Sequence, residues 1–358
     1  MKIDMMVMAG KLSTMQDLAR DAKAAGFDGL VVTEAGRTAY LSCAAAALAA
    51  DLDLATGIAV AFPRSPMITA SIAWELADAT DGRFRLGIGT QVRAHITRRY
   101  GADFDPPGPR LREYVLALRA IFRAFRRQAP LDFDGAWWKL SLLPDQWSPG
   151  PLELPDPPID VAAVNPWMLR MAGAVADGVH VHPLNTPTYL ETTVLPEVAA
   201  GASAAGRDPS ELQLIIPCFT AAGDTDAEQA RWRERARFQV AFYGSTPNYA
   251  FIFDQIGFEG TTAKIRERQS AGDFTGMAAV ITDEILDHFV VTGTYADLGP
   301  KLKERYADKA SRVVSYFAGP AWGEDRKDLE RWAQVTGSIV RERIDATGKP
   351  SVTDRTSH

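Results

Sequence analysis

Cysteine is nearly missing from this chain: 358 residues hold only Cys43 and Cys218, far apart and each inside an apolar run. A disulfide framework is therefore not expected, and a reducing compartment, the cytoplasm, suits the chain. Long apolar runs are missing too. The longest, CAAAALAA from Cys43 to Ala50, is too short to cross a bilayer. The opening MKIDMMVMAG carries an Asp inside its apolar stretch, which spoils a secretory leader and reads as a first strand. Positive charge is not in excess: the net charge is -6, so no broad basic surface is available for nucleic acid or an anionic membrane. Small molecules remain as the expected partners. Histidine is sparse, with His95, His180, His182, His288 and His358 as the whole supply, which limits any histidine-based metal site.

What the chain does have is apolar content, 46% of its residues, enough to bury one large core. One big domain or two ordinary ones both fit the length. The pattern then alternates: strand Lys2–Met8, a helix opened by Ser13 with Gln16 as a capping box, strand Asp28–Thr33, helix Tyr40–Ala50, strand Asp53–Val60, helix Pro66–Thr80 and strand Arg83–Ile88. Only parallel neighbours need a helical crossover each time. An amphipathic helix over Pro109–Gln128 follows, and six prolines within Pro144–Pro158 then suggest a linker. The alternation resumes beyond them, so this stretch is read as a long loop. Strand Ile159–Ala163, helix Pro166–Ala176, strand Gly178–His182, helix Pro187–Ala205 and strand Leu212–Thr220 come next, then a helix capped by Thr225 with Glu228. A less regular region, Thr246–Val291, precedes helix Thr294–Tyr306 and an eighth strand, Arg312–Phe317.

Eight strand-helix units predict a single (β/α)8 TIM barrel over 1–345, with insertions at its C-terminal face near 90–109, 129–158 and 246–291. The polar tail 346–358 reads as disordered. AAGFDGLVV from Ala24 and GAVADGVHV from Gly173 form an internal echo, each passing through Asp-Gly into a strand.

In a barrel, chemistry gathers where the strands end. Glu34 closes the second strand as either an active-site acid or a solvated cap. Gly57, inside a β run, marks a bulge, a close ligand approach or tight packing. The fourth strand ends in GIGT, Gly87–Thr90, without the further glycine and acidic partner of a dinucleotide fingerprint. Arg93, His95, Arg98 and Arg99 follow closely, suited to an anion or simply to solvent. Asn165 and Pro166 open a helix whose Trp167 and Met168 amides point at the mouth, as a phosphate site would require. His180 and His182 project to one side of the sixth strand, as a metal pair or as cofactor contacts.

TGIAVAFPRSP, RFRLGIGTQ and AAVNPWMLRMAGAVADGVHVHP, in this order and spacing, resemble the luciferase-like monooxygenase superfamily. More closely they resemble its branch of coenzyme F420-dependent oxidoreductases of actinobacterial type. The resemblance runs from Met1 to about Ala318. It implies a flavin-like ring lying against a third-strand bulge with a non-proline cis peptide, here Gly57–Ile58. The resemblance sets the ring against Gly57 and Ile58 and the cofactor phosphate at Val164, Asn165 and the amides of Trp167 and Met168, and it gives Glu34 an acid or base role. Ala59, Gly89, Thr90, Gln91 and His180, at neighbouring strand ends, complete the expected cofactor site; Arg93 and His95 are added to it on their charge alone, and His182 is the other group expected to manage a proton. Val164 and Asn165 stand where many relatives carry a glycine pair, and Gln91–Arg93 where many carry a tryptophan. Lysines that bind substrate phosphate in the sugar-phosphate enzymes of this class have no counterpart, so that substrate is not implied.

The expected activity is hydride transfer between coenzyme F420 and a small organic substrate, in a homodimer. An FMN-dependent monooxygenase, a non-catalytic flavin-binding protein and a metal-dependent hydrolase using His180 and His182 are the alternatives. Trp137, Trp138, Trp147, Tyr249 and Phe251 in the insertions point to an apolar or flat substrate, or to subunit packing.

Overall fold

The run Lys2–Met8 forms strand β1, buried along its length and exposed only at its ends. In the computed structural model, which describes residues 1–318, 326–339, 343–344 and 350–351, it opens a regular alternation. Helix α1 (Leu12–Ala24), β2 (Gly29–Thr33), α2 (Ala39–Ala47) and β3 (Asp53–Thr56) follow. The run expected to continue unbroken to Val60 stops at Gly57 and Ile58, whose peptide bond is cis, and resumes as β4 (Ala59–Val60). Then come α3 (Pro66–Ala79), β5 (Phe84–Gly89), the short α4 (Arg93–Arg98) and α5 (Pro107–Phe125). A small hairpin of β6 (Phe133–Asp134) and β7 (Lys139–Leu140) leads to β8 (Ile159–Ala163), α6 (Pro166–Val175) and β9 (Gly178–Val181). Helices α7 (Pro187–Tyr189) and α8 (Leu195–Ala204), β10 (Gln213–Ala222) and α9 (Asp226–Gly244) complete the seventh unit.

The strands pair in parallel in the order β1, β2, β3, β5, β8, β9, β10, β12, where β12 is Arg312–Tyr316, and β12 returns to β1. Eight parallel strands thus close into a (β/α)8 barrel. The region Thr246–Val291, read as less regular, instead holds α10 (Ala250–Asp254), α11 (Thr261–Ser270), α12 (Phe274–Ala279), α13 (Asp283–Asp287) and the first half of a further strand, β11 (Val290–Gly293). Ile215 pairs with both His180 and Arg312, and Phe219 with both Val290 and Tyr316, so β11 continues above β9 on one edge of the long β10. These helices are short and carry few apolar residues each, so their periodicity is weak in the sequence. Helices α14 (Leu298–Tyr306) and α15 (Arg326–Ser338) finish the outer layer, with Trp332 of α15 packed on Phe27 at 5.7 Å.

Two local expectations change. Helix α1 begins at Leu12 after Lys11, with no side-chain cap, so Ser13 lies inside the first turn and forms no capping box. Thr225 and Glu228 do form theirs. The proline-rich stretch is tied down: Trp74 donates to the Gly150 carbonyl at 3.1 Å and Arg126 to the Leu152 carbonyl at 3.0 Å. The tail 346–358 lies outside the described residues apart from Pro350 and Ser351.

The internal echo has a structural meaning. Asp28 accepts a hydrogen bond from the Ile3 amide at 2.9 Å, and Asp177 accepts one from the Ile159 amide at 2.7 Å. Each Asp ties its strand's start to the preceding strand. The glycine after each is obligatory, because a Cβ would come within 2.4 Å of the Asp53 carbonyl at Gly29 and of the Asp160 carboxylate at Gly178. Below the mouth the barrel interior is charged rather than aliphatic. Arg312 makes two bonds of 2.6 Å to Asp4, and Arg85 holds Asp160 at 2.9 and 2.6 Å. Buried charges persist where each is paired in this way.

Candidate active site at the barrel mouth

Parallel strands present all their C-terminal ends on one face, which brings together Glu34, Gly57–Ala59, Gly89–Gln91, Val164–Asn165 and His182. The floor is built from small residues. A Cβ on Gly89 would sit 3.0 Å from the Ile58 side chain and 3.2 Å from that of Ala162. One on Gly57 would lie 2.1 Å from Val31, and one on Gly87 2.0 Å from the Thr56 carbonyl. Thr33 donates to the Gly57 carbonyl at 3.1 Å and Thr56 to that of Gly87 at 2.7 Å. The bulge is thus held by two neighbouring strands.

His180 lies directly beneath. Its imidazole fills the space that side chains at Gly57 and Gly87 would need, at 3.5 Å and 2.7 Å from their ideal Cβ positions. It is 4% exposed, and its Nε2 has no hydrogen-bond partner among the described residues, with the Asp160 carboxylate 3.9 Å away. Burial lowers its pKa to about 4, against the opposing pull of Asp160. His182 stands two residues further along and is partly exposed. Its Nδ1 accepts the Leu184 amide at 3.0 Å, and its ring meets Tyr243 at 4.8 Å and Tyr249 at 4.5 Å. Among the described residues no three His, Cys, Asp or Glu side chains form a group that would hold a metal, so the hydrolase reading finds no ligand set.

Glu34 is brought to the mouth already engaged. Arg64 binds it at 2.7 and 3.2 Å and also donates to the Val60 carbonyl at 2.8 Å, while the Val60 amide reaches the carboxylate at 3.4 Å. The pair therefore clamps the chain just after the bulge. Arg64 sits in the FPRSP string, yet nothing in the sequence pairs it with Glu34, thirty residues away.

The phosphate expectation is narrowed. Asn165 is the N-cap of α6 as expected, but its side chain accepts the Met168 amide at 3.0 Å, so of the two amides expected to face a phosphate, Trp167's alone is left unengaged by the cap. The Trp167 ring covers Gly108, where a Cβ would lie 2.3 Å from it. Arg93 is ion-paired with Asp105 and lies over Phe104, while His95 is exposed on α4. Neither is a free cation poised at the floor. Gln91 has a left-handed backbone, and its side chain accepts the Val92 amide at 2.9 Å.

Several mouth residues escaped the sequence reading. Tyr189 donates to the Val164 carbonyl at 2.6 Å and packs on Phe251 at 5.7 Å. Tyr243 belongs to a stack running through Phe219 and Phe317 to Trp232. Trp138 instead packs against Tyr114 at 5.1 Å, a structural contact. Two open cavities of about 580 and 670 Å³ lie among outer helices, beside β11 and α14 and between α9 and α12. Neither borders the floor, and the convergence of strand ends, not void volume, singles out the mouth.

The family profile described as luciferase-like monooxygenase matches residues 1–312. An uncharacterised protein of Mycobacterium tuberculosis is 36% identical over 312 residues, covering 85% of this chain and 92% of its own. A 5,10-methylenetetrahydromethanopterin reductase of Methanolobus tindarius is 29% identical over 304 residues, covering 83% and 88%. Among solved structures, the coenzyme F420-dependent tetrahydromethanopterin reductase of Methanopyrus kandleri superposes with a TM-score of 0.76 at 20% identity, over 93% of this chain and 97% of that one. The oxygenating constituent of 3,6-diketocamphane monooxygenase from Pseudomonas putida, solved with FMN, gives 0.65 at 15% identity, over 95% and 98%.

Proposed function

Because this chain belongs to the luciferase-like monooxygenase family, we propose that it is an oxidoreductase moving a hydride between the deazaflavin coenzyme F420 and a small organic substrate. The carrying observation is the narrow, uncharged floor of Gly57–Ala59, Gly89 and Ala162, which offers a flat ring system a ledge without bulky side chains. Bound there, the deazaflavin supplies a carbon that gives or takes a hydride. The floor residues Gly57, Ile58, Ala59, Gly89, Thr90 and Gln91 hold the ring, while Val164, Asn165 and the Trp167 amide receive the phosphate end at the start of α6. His180 supports the ledge from below. Glu34, held by Arg64, keeps the chain after the bulge in place, which leaves His182 as the polar group free to meet the substrate.

The likeness to the coenzyme F420-dependent reductase structure of Methanopyrus kandleri supports a deazaflavin. The second reading is an FMN-dependent monooxygenase, favoured by the likeness to a structure solved with FMN. Leu41 and Ile68, exposed on the adjacent helices α2 and α3, and Leu48, exposed just past the end of α2, support a homodimer in this reading, and the acidic chain with two free thiols suits the cytoplasm. No helix among the described residues is long and apolar enough to cross a membrane.

The test is to mix the protein with chemically reduced F420 and a panel of aldehydes, ketones and cyclic imines under nitrogen. Return of the oxidised cofactor's visible absorbance, dependent on both protein and substrate, is the expected result. Oxygenation of a substrate by the protein with chemically reduced FMN and oxygen, and no turnover with F420, would overturn it.

A further inference from the structure

The Leu184 amide points at Nδ1 of His182 from 3.0 Å, and an amide can only donate. Nδ1 is therefore an acceptor, and in the neutral ring the single proton must sit on Nε2. That Nε2–H has no partner among the described residues, and the residue is partly exposed. On either side stand Tyr243 of α9 and Tyr249, just before α10. The Tyr243 hydroxyl is bonded to Tyr316, whereas that of Tyr249 has no hydrogen-bond partner among the described residues. The groups in contact with the His182 ring, the Leu184 amide and the rings of Tyr243 and Tyr249, carry no formal charge.

We propose that the Nε2–H of His182 and the hydroxyl of Tyr249 form an uncharged donor pair that receives a neutral acceptor oxygen of the substrate, a ketone or aldehyde carbonyl, and discriminates against carboxylates and phosphates. The proposal rests on the mouth being the active site, as argued above. A neutral donor pair polarises a carbonyl and stabilises the charge that grows on its oxygen as hydride reaches the carbon. An anion would lose its hydration without gaining a cation in return. His182 in this role is a hydrogen-bond donor and not the net proton source, since burial lowers its pKa far below the ordinary 6.5 and it carries no second proton to give. The proton that completes the alcohol comes from water entering at the exposed edge.

Two measurements decide it. Nitrogen NMR of protein labelled at histidine, with His182→Gln to assign the signals, should show Nδ1 bare and Nε2 protonated, unchanged from pH 5 to 8. A proton on Nδ1, or a titration near the ordinary histidine value, overturns the proposal. The second probe is 4-(dimethylamino)cinnamaldehyde, whose absorbance moves to the red when its carbonyl accepts a hydrogen bond. The wild-type chain should produce the shift and bind the corresponding cinnamate at least tenfold more weakly, and both His182→Phe and Tyr249→Phe should weaken the shift. No shift, or equal binding of the carboxylate, overturns it. Neither readout needs deazaflavin, so a chain that fails to bind F420 yet gives both results sinks the cofactor reading and leaves the donor pair standing.

Discussion

Replacing Gly87 by alanine probes the floor most sharply. The new Cβ would stand 2.0 Å from the Thr56 carbonyl oxygen and 2.7 and 2.9 Å from two atoms of the His180 ring. Thr56 cannot retreat cheaply, because it ends β3, and its own hydroxyl is bonded to the Gly87 carbonyl at 2.7 Å. The imidazole cannot swing away either, since Gly57 confines it on another side. Overpacking of a rigid core costs about 1 to 3 kcal/mol, and a backbone clash belongs at the upper end, so we expect a loss of about 3 kcal/mol. For a chain of this size that is a fall of roughly 4 °C in the midpoint of thermal unfolding. Gly36→Ala is the control, because its Cβ would meet nothing within 4 Å. Adding His180→Ala to Gly87→Ala should recover only part of the loss, since the Thr56 contact stays. A Gly87→Ala protein melting within about 1 °C of the Gly36→Ala protein, where the cited cost predicts several degrees, would refute the reasoning.

Other consequences follow from the same geometry. Arg64→Met leaves Glu34, 4% exposed at its side chain, without its partner and should cost about 2 kcal/mol in urea unfolding, discounted for the partly exposed arginine, while Glu34→Gln in the same chain should restore much of it. Asn165→Ala removes the α6 cap and should cost about 1 kcal/mol by the same assay. His180 has a folded pKa of about 4 against the ordinary 6.5, so its contribution to stability is complete above 6.5 and is lost as pH falls towards 4. The loss should approach about 1.4 kcal/mol per pH unit, and urea midpoints of a His180→Asn variant should fall less steeply across that window.

The alternation of strands and helices carried the barrel because βα crossovers leave a strong period, and the Asp-Gly echo carried a real pair of strand clamps, Asp28 on Ile3 and Asp177 on Ile159. Asn165 and Pro166 located a helix start for the same local reason. Interactions between distant segments stayed hidden. The Glu34–Arg64 clamp joins two loops, and the capture of the Met168 amide by Asn165 is a choice between ligand and cap that spacing does not decide. The seating of His180 between Gly57 and Gly87 required three strands to close. The helices of Thr246–Val291 were missed because each is too short to show its period, and with them went the context of Tyr249.

The central claim is that the mouth holds a deazaflavin. Titration of the purified protein with F420 and, separately, with FMN, following the quenching of its eight tryptophans, tests it most directly. The account predicts saturable quenching by F420 that weakens in Gly87→Ala. Tight FMN binding with no response to F420 would contradict it.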